Sequence, residues 1–192
     1  MNVSWYAARA AGLVAWTLSG ASVVLGLVMA TSAFGRRPTR AWKLDLHRYL
    51  GTLAVAFTGV HVGAILVDSF VHFSLVDVLV PFASAWHPAA VAGGVVALWL
   101  LVAVEVTSLL RHRMNLRTWH RVHLLSFPLF ALATVHGLAA GTDASGRLAA
   151  WAVLGVLAAI AFVATIRVLE PRPANRPAAN EPVTRRGSRA VA

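Results

Sequence analysis

The chain is 192 residues long, 58% hydrophobic and 12% charged, with a formal net charge of +10 and no cysteine. A soluble domain carries about twice that charged fraction, so the composition excludes an ordinary soluble fold and points to an all-α integral membrane protein. The basic surplus does not indicate nucleic acid, because Lys and Arg stand at the ends of apolar runs and not along one soluble face; the lack of cysteine excludes disulfides, thiolate metal sites and cysteine-ligated iron–sulfur clusters.

A membrane-spanning helix needs roughly 20 apolar residues, and five runs qualify: about 8–33, 48–68, 89–110, 120–140 and 148–168. The first lacks a basic stretch before it and reads as a span, not a signal peptide. "GRRPTRAWK" (35–43) follows and is strongly basic. The second run opens on "LDLHRYLGTLAVAFTGVHVG" (44–63), with His47 at its start and His61 near its end. The connection "SFVHFSLVDVLVPFASAWH" (69–87) is apolar but carries His72, Asp77 and Trp86, which predicts a short helix in the outer interface. The third run contains a carboxylate, Glu105; pairing with Arg48 or Arg111, or a part in proton movement, are the roles open to it. A second basic connection, "RHRMNLRTWHR" (111–121), leads into the fourth run, which holds His123, Pro128 and His136. After the fifth, residues 170–192 are basic and contain Pro171, Pro173, Pro177 and Pro182, which predicts a disordered tail beside a membrane domain of residues 1–169.

The basic residues fix an expected topology. With 35–43, 111–121 and the tail in the cytoplasm, fifteen of the seventeen Lys and Arg lie inside and only Arg9 and Arg147 outside. The positive-inside rule then gives an outside N-terminus, a cytoplasmic C-terminus and a multi-pass protein of the cell membrane, with a bacterial plasma membrane as the expected setting.

Five of the eight histidines lie in or at the ends of spans two and four, which run in the same direction through the membrane. His47 and His123 therefore share an inner depth, and His61 and His136 an outer one. Fourteen residues separate the levels by about 21 Å at 1.5 Å per residue. Paired imidazoles at two depths suit two flat macrocycles, each held edge-on between two axial ligands, and bis-imidazole ligation of haem iron leaves no open position for oxygen. On α-helical phase, His47 and His61 fall within roughly 40° of each other, but His123 and His136 are roughly 140° apart. A kink or bulge at Pro128 is the expected repair. His120 is an alternative inner ligand, and hydrogen-bonded glue between helices is the plain alternative for all of them. Gly51, Gly59, Gly63 and Gly137 lie near the proposed ligands in sequence, Phe57 and Phe130 between the levels. Arg48 and Arg121 adjoin the inner level, where propionates or simple anchoring are both open.

"HRYLG…H" with its fourteen-residue spacing, "WHRVH…H" with thirteen, and "TSLLRHRMNLRTWHRVH" (107–123) resemble the ferric reductase-like transmembrane domain superfamily, which includes ferric reductases, NADPH oxidases and the haem-bearing subunit of a bacterial methionine sulfoxide reductase system. The resemblance covers roughly residues 10–165. It implies a bundle holding two b-type haems between spans two and four, with His47 and His123 on the inner haem and His61 and His136 on the outer, carrying electrons across the membrane. The sequence departs from the larger relatives in having five spans instead of six and no Gly-rich dinucleotide fingerprint. The expected electron donor is therefore a separate flavoprotein, the only place for a flavin, or a membrane quinol, which would make quinone a further cofactor. The expected acceptor is an extracytoplasmic redox partner; lipid is the remaining contact. The competing reading is a haem-free transporter or assembly factor with histidines lining a metal path, but the histidine-bearing spans offer that path only Asp68 as a carboxylate.

Overall fold

The computed structural model describes residues 3–31, 35, 38–69, 71–141 and 146–170, without the side chains of 148 and 149. The predicted tail after Glu170 and parts of the 35–43 connection lie outside the described residues. Those described form helices and turns, with no strand among them. In chain order they are α1 (Val3–Ala30), α2 (Arg40–Leu66), the short α3 (Leu75–Leu79), α4 (Pro88–Leu109), α5 (Leu116–His123), α6 (Ser126–Ala140) and α7 (Arg147–Leu169), with one 3₁₀ turn at Arg111–Arg113. Five segments are long and apolar enough to cross a membrane: α1, α2, α4, α5 with α6, and most of α7. This is the architecture of a multi-pass membrane protein.

The surface agrees with that setting. Trp151 is 70% exposed and Phe162 63%, both on α7, an arrangement that suits hydrocarbon solvent and would be a liability in water. Hydroxyls inside the spans turn back on their own helices. Thr58 Oγ1 donates to the Ala54 carbonyl at 2.7 Å and Thr107 Oγ1 to that of Ala103 at 2.7 Å, so these hydroxyls are not left bare in an apolar medium.

The helices pack as two antiparallel hairpins. α1 lies along α2, α4 along α6, and α7 covers α1. At the outer end Asp68, which is buried, accepts hydrogen bonds from the Ser4 hydroxyl (2.6 Å) and the Val71 N–H (2.9 Å), pinning the start of α1 to the end of α2. Between the hairpins, α2 and the fourth span make little backbone contact.

Local signals explain most boundaries. Thr39 caps α2 by accepting the Trp42 N–H, and the helix starts at Arg40, ahead of the apolar run, because capping and not hydrophobicity sets its first turn. Ser74 and Asp77 form a reciprocal capping box on α3, in the connection where a short helix is expected. Pro88 occupies the first turn of α4 after His87, whose φ of 42° is left-handed. The fourth span breaks at Leu124–Leu125, one turn before Pro128. There the Leu125 N–H bonds back to Val122 and the Phe127 N–H to Leu124, three residues each instead of four. Pro128 has no N–H to offer the Leu124 carbonyl, so the ladder tightens and restarts as α6.

Candidate functional site

The facing histidines meet across the gap between the hairpins. The ring centres of His47 on α2 and His123 at the end of α5 are 5.9 Å apart with planes at 68°, and those of His61 on α2 and His136 on α6 are 6.3 Å apart at 80°. The break at Leu124–Leu125 is what lets His123 and His136 address α2 together, despite a helical phase that would set them far apart on a straight helix.

Each ring is oriented by the other helix of its own hairpin. His61 Nδ1 lies 2.7 Å from the Ala8 carbonyl, His47 Nδ1 3.0 Å from that of Ser22, and His136 Nδ1 2.8 Å from that of Ala90. A carbonyl can only accept, so in each neutral ring Nδ1 carries the proton and Nε2 keeps its lone pair. His123 Nδ1 has a longer contact, 3.5 Å, with the Ser108 hydroxyl. On α1 the two carbonyls used are fourteen residues apart, as are the two histidines they hold, so the α1–α2 hairpin makes the same contact twice.

Glycines on the neighbouring helices make room for the rings. A Cβ at Gly12 would fall 2.9 Å from His61 Nδ1, and one at Gly94 would fall 2.8 Å from His136; at Gly26 the closest atom of His47 is 3.4 Å away. Sequence reading missed these three and singled out others. A Cβ at Gly59, Gly63 or Gly137 meets nothing within 4 Å, and one at Gly51 meets Glu105 Oε1 at 3.0 Å. The missed signal is a stripe of small residues on α1, Ala8, Gly12, Ala15, Ser19, Ser22 and Gly26, spaced three and four apart.

A cavity of about 300 Å³ opens beside the outer pair, with His61, His136, Gly12, Gly94, Trp16 and Thr134 in its wall. At its outer end Trp86 packs edge-on against Trp5 (6.1 Å), Phe73 (6.0 Å) and His87 (4.5 Å). Asp77 lines the same cavity. The Ser74 hydroxyl and then the Ser74 N–H hold its carboxyl below the usual carboxylate range. Phe130, buried, stacks on Trp16 at 5.6 Å, and the Trp16 indole donates to Thr134 Oγ1 at 2.8 Å. Phe57 is half-buried and makes no such stack among the described residues.

Among the described residues none of the charged candidates forms an ion pair with a ring or a hydrogen bond to one. Arg48 is exposed and pairs with Asp45 at 3.7 Å, and Arg121 is exposed. Arg111 lies 4.7 Å over the ring of Trp119. Glu105, half-buried against Gly51, is in no ion pair among the described residues. His120 is exposed beside Trp119 and stacks on no second histidine among the described residues.

His47, His61 and His136, with Nδ1 tied to a carbonyl and Nε2 free, and His123 facing His47 place two imidazoles at each level that can ligate a metal, and backbone carbonyls of this kind orient metal-binding histidines. Among the described residues no cluster of three or more His, Cys, Asp or Glu completes a set for a bare ion. No curated protein and no solved structure matches the chain. One family model does, over residues 3–143, which takes in α1 to α6 and all four facing histidines. The chain belongs to that family, described as a domain of unknown function (DUF8596).

Proposed function

We infer that the protein is a transmembrane electron-transfer subunit of ferric reductase-like type, a bis-haem b-type cytochrome. His47 and His123 would hold the inner haem, His61 and His136 the outer. The observation that carries this reading is the spacing of the rings. A metal–imidazole bond of about 2.0–2.1 Å, with the bonded nitrogen about 1.1 Å from its ring centre, sets two axial imidazoles roughly 6.3 Å apart. The two pairs stand at 5.9 and 6.3 Å. A haem brings four equatorial nitrogens of its own, so two histidines per level suffice. The hydrogen bonds that leave Nε2 as the free nitrogen support the same assignment, and so do the glycines that form a cradle for the rings.

When bound, haem ligated on both sides supplies one-electron oxidation and reduction of iron without an oxygen site. The chain's part is to set the two levels, fix the ligand tautomers and exclude water between them. The Trp16–Phe130 stack occupies the interior between the levels. Electrons would enter from a cytoplasmic flavoprotein or a membrane quinol and leave to an extracytoplasmic acceptor, with the N-terminus outside by the distribution of Lys and Arg.

Purification from haem-replete cells tests the reading. The expected protein is red, carries two haems per chain, and shows a sharp Soret band that shifts on dithionite reduction. A folded, colourless protein overturns it, and one that binds free divalent metal in place of haem would favour a metal path.

A further inference from the structure

Trp119 stands one turn before His123 on α5. Its indole lies nearly parallel to the His123 imidazole, with ring centres 5.0 Å apart and planes at 21°. The Arg111 guanidinium rests 4.7 Å from the centre of the same indole. The indole Nε1 is fully buried, yet no acceptor reaches it among the described residues. This is unlike Trp16 and Trp99, whose indole nitrogens donate to Thr134 Oγ1 at 2.8 Å and to the Leu79 carbonyl at 2.9 Å.

A buried N–H without a partner is costly and rare, so an orphan of this kind asks for an acceptor from outside the chain, admitted by a shift of the side chains that cover it. Its surroundings define the acceptor's chemistry. One neighbour is the imidazole assigned to the inner level, and the other is a cation that no described carboxylate neutralises. An anionic oxygen suits both the N–H and the exposed guanidinium, as a charge-assisted hydrogen bond.

We propose that the Trp119 indole N–H, with Arg111 beside it, binds a carboxylate side chain of the inner tetrapyrrole, making Trp119 a cofactor-anchoring residue. Arg48 and Arg121, the cations nearest the inner histidines in sequence, are not required for this contact. The proposal rests on the haem reading above and adds to it the residue that recognises the macrocycle's acidic edge.

The test compares full-length wild-type protein and Trp119→Phe, each reconstituted with haem or with its dimethyl ester, in which both carboxylates are blocked. Phe keeps an aromatic ring against His123 and removes the N–H. Transfer of haem to excess apomyoglobin is followed by absorbance, and each haem's midpoint potential by redox titration. With haem, Trp119→Phe is expected to release one of its two haems about tenfold faster than wild type, with a shifted potential for that haem alone. With the ester, wild type and variant should behave alike. Equal release of haem by wild type and variant overturns the proposal, as does a variant effect that persists undiminished with the ester. Should Trp119→Phe fail to hold the inner haem, the wild-type arms decide. There the ester must leave about tenfold faster than haem, and equal rates overturn the proposal. A wild-type protein without haem defeats the underlying reading and is recognised before any variant is made.

Discussion

At the scale of single residues, the site depends on side chains that are missing. Gly12 and Gly94 let His61 and His136 lie against the backbones of α1 and α4, close enough for Nδ1 to reach the Ala8 and Ala90 carbonyls. An added methyl at either place would stand under 3.0 Å from a ring, in the path of the side chain's rigid end. Gly12→Ala and Gly94→Ala are therefore expected to tilt the outer rings and to cost about 1–3 kcal/mol of overpacking. The haem count should fall from two to one, with the inner spectrum retained. Gly26→Ala places its methyl at ordinary contact distance from His47, and Gly59→Ala meets nothing within 4 Å; both should keep two haems, as read by pyridine haemochrome assay. Loss of haem in all four variants alike would mean that general helix packing, not ring clearance, governs binding. The histidines were legible in the sequence because ionisable residues stand out in an apolar run. The glycines were not, because proximity along the chain pointed to Gly59 and Gly63 on the ligands' own helix. The positions that matter lie on the facing helix of each hairpin, and only the small-residue stripe of α1 announces them.

At the scale of elements, the fourth span decides whether two levels can exist. Its two histidines are thirteen residues apart, which a straight helix would turn roughly 140° from each other. The sequence points to Pro128 as the cause of a repair, a kink or bulge, but does not place it. The structure puts the break at Leu124–Leu125, a full turn earlier, because the missing N–H of Pro128 is felt at the Leu124 carbonyl, which takes the Phe127 N–H instead. Pro128→Ala restores the donor for a four-residue bond to Leu124 and favours fusing α5 to α6. The outer half would then rotate relative to the inner, and His136 would lose the Ala90 carbonyl. The expected result is one low-spin haem per chain in place of two, counted by haemochrome assay and by electron paramagnetic resonance. Two unaltered haems in the variant would show that tertiary packing against α4, not the proline, maintains the break. Span ends were less legible than span cores. α1 and α2 both begin before their apolar runs, since capping by Thr39 and the pinning of Ser4 by Asp68 are local polar events that hydropathy does not register.

At the scale of the molecule, five apolar helices were legible from composition and run length alone, but their arrangement as two hairpins that meet through α1 and α6 and leave α2 apart from the fourth span was not. Hydrophobicity says which residues leave water; it does not say which helices touch. Each hairpin supports both levels, but through separate contacts fourteen or more residues apart on its outer helix. The inner pair is held by Ser22 and Ser108, the outer by Ala8 and Ala90, so removal of one pair should not unfold the other. This sets apart a directional electron path from a general need for histidine. In sealed inside-out vesicles, a membrane-impermeant reductant added on the cytoplasmic face should reduce both haems of the wild type. His61→Ala and His136→Ala should keep a reducible inner haem and fail to pass electrons to an impermeant acceptor enclosed in the lumen. His47→Ala and His123→Ala should lose the inner haem and slow reduction of the outer one at least tenfold, because entry from that face is interrupted. His120→Ala is the control, since His120 is exposed and lies one turn from His123 without facing His47; it should match the wild type in both haem content and rate. Loss of both haems in every ligand variant would point to collapse of the bundle. Inner-haem loss in His120→Ala with retention in His123→Ala would move the inner ligand by one turn of α5. Reduction only from the opposite face would reverse the topology drawn from the basic residues while leaving the two-level site intact.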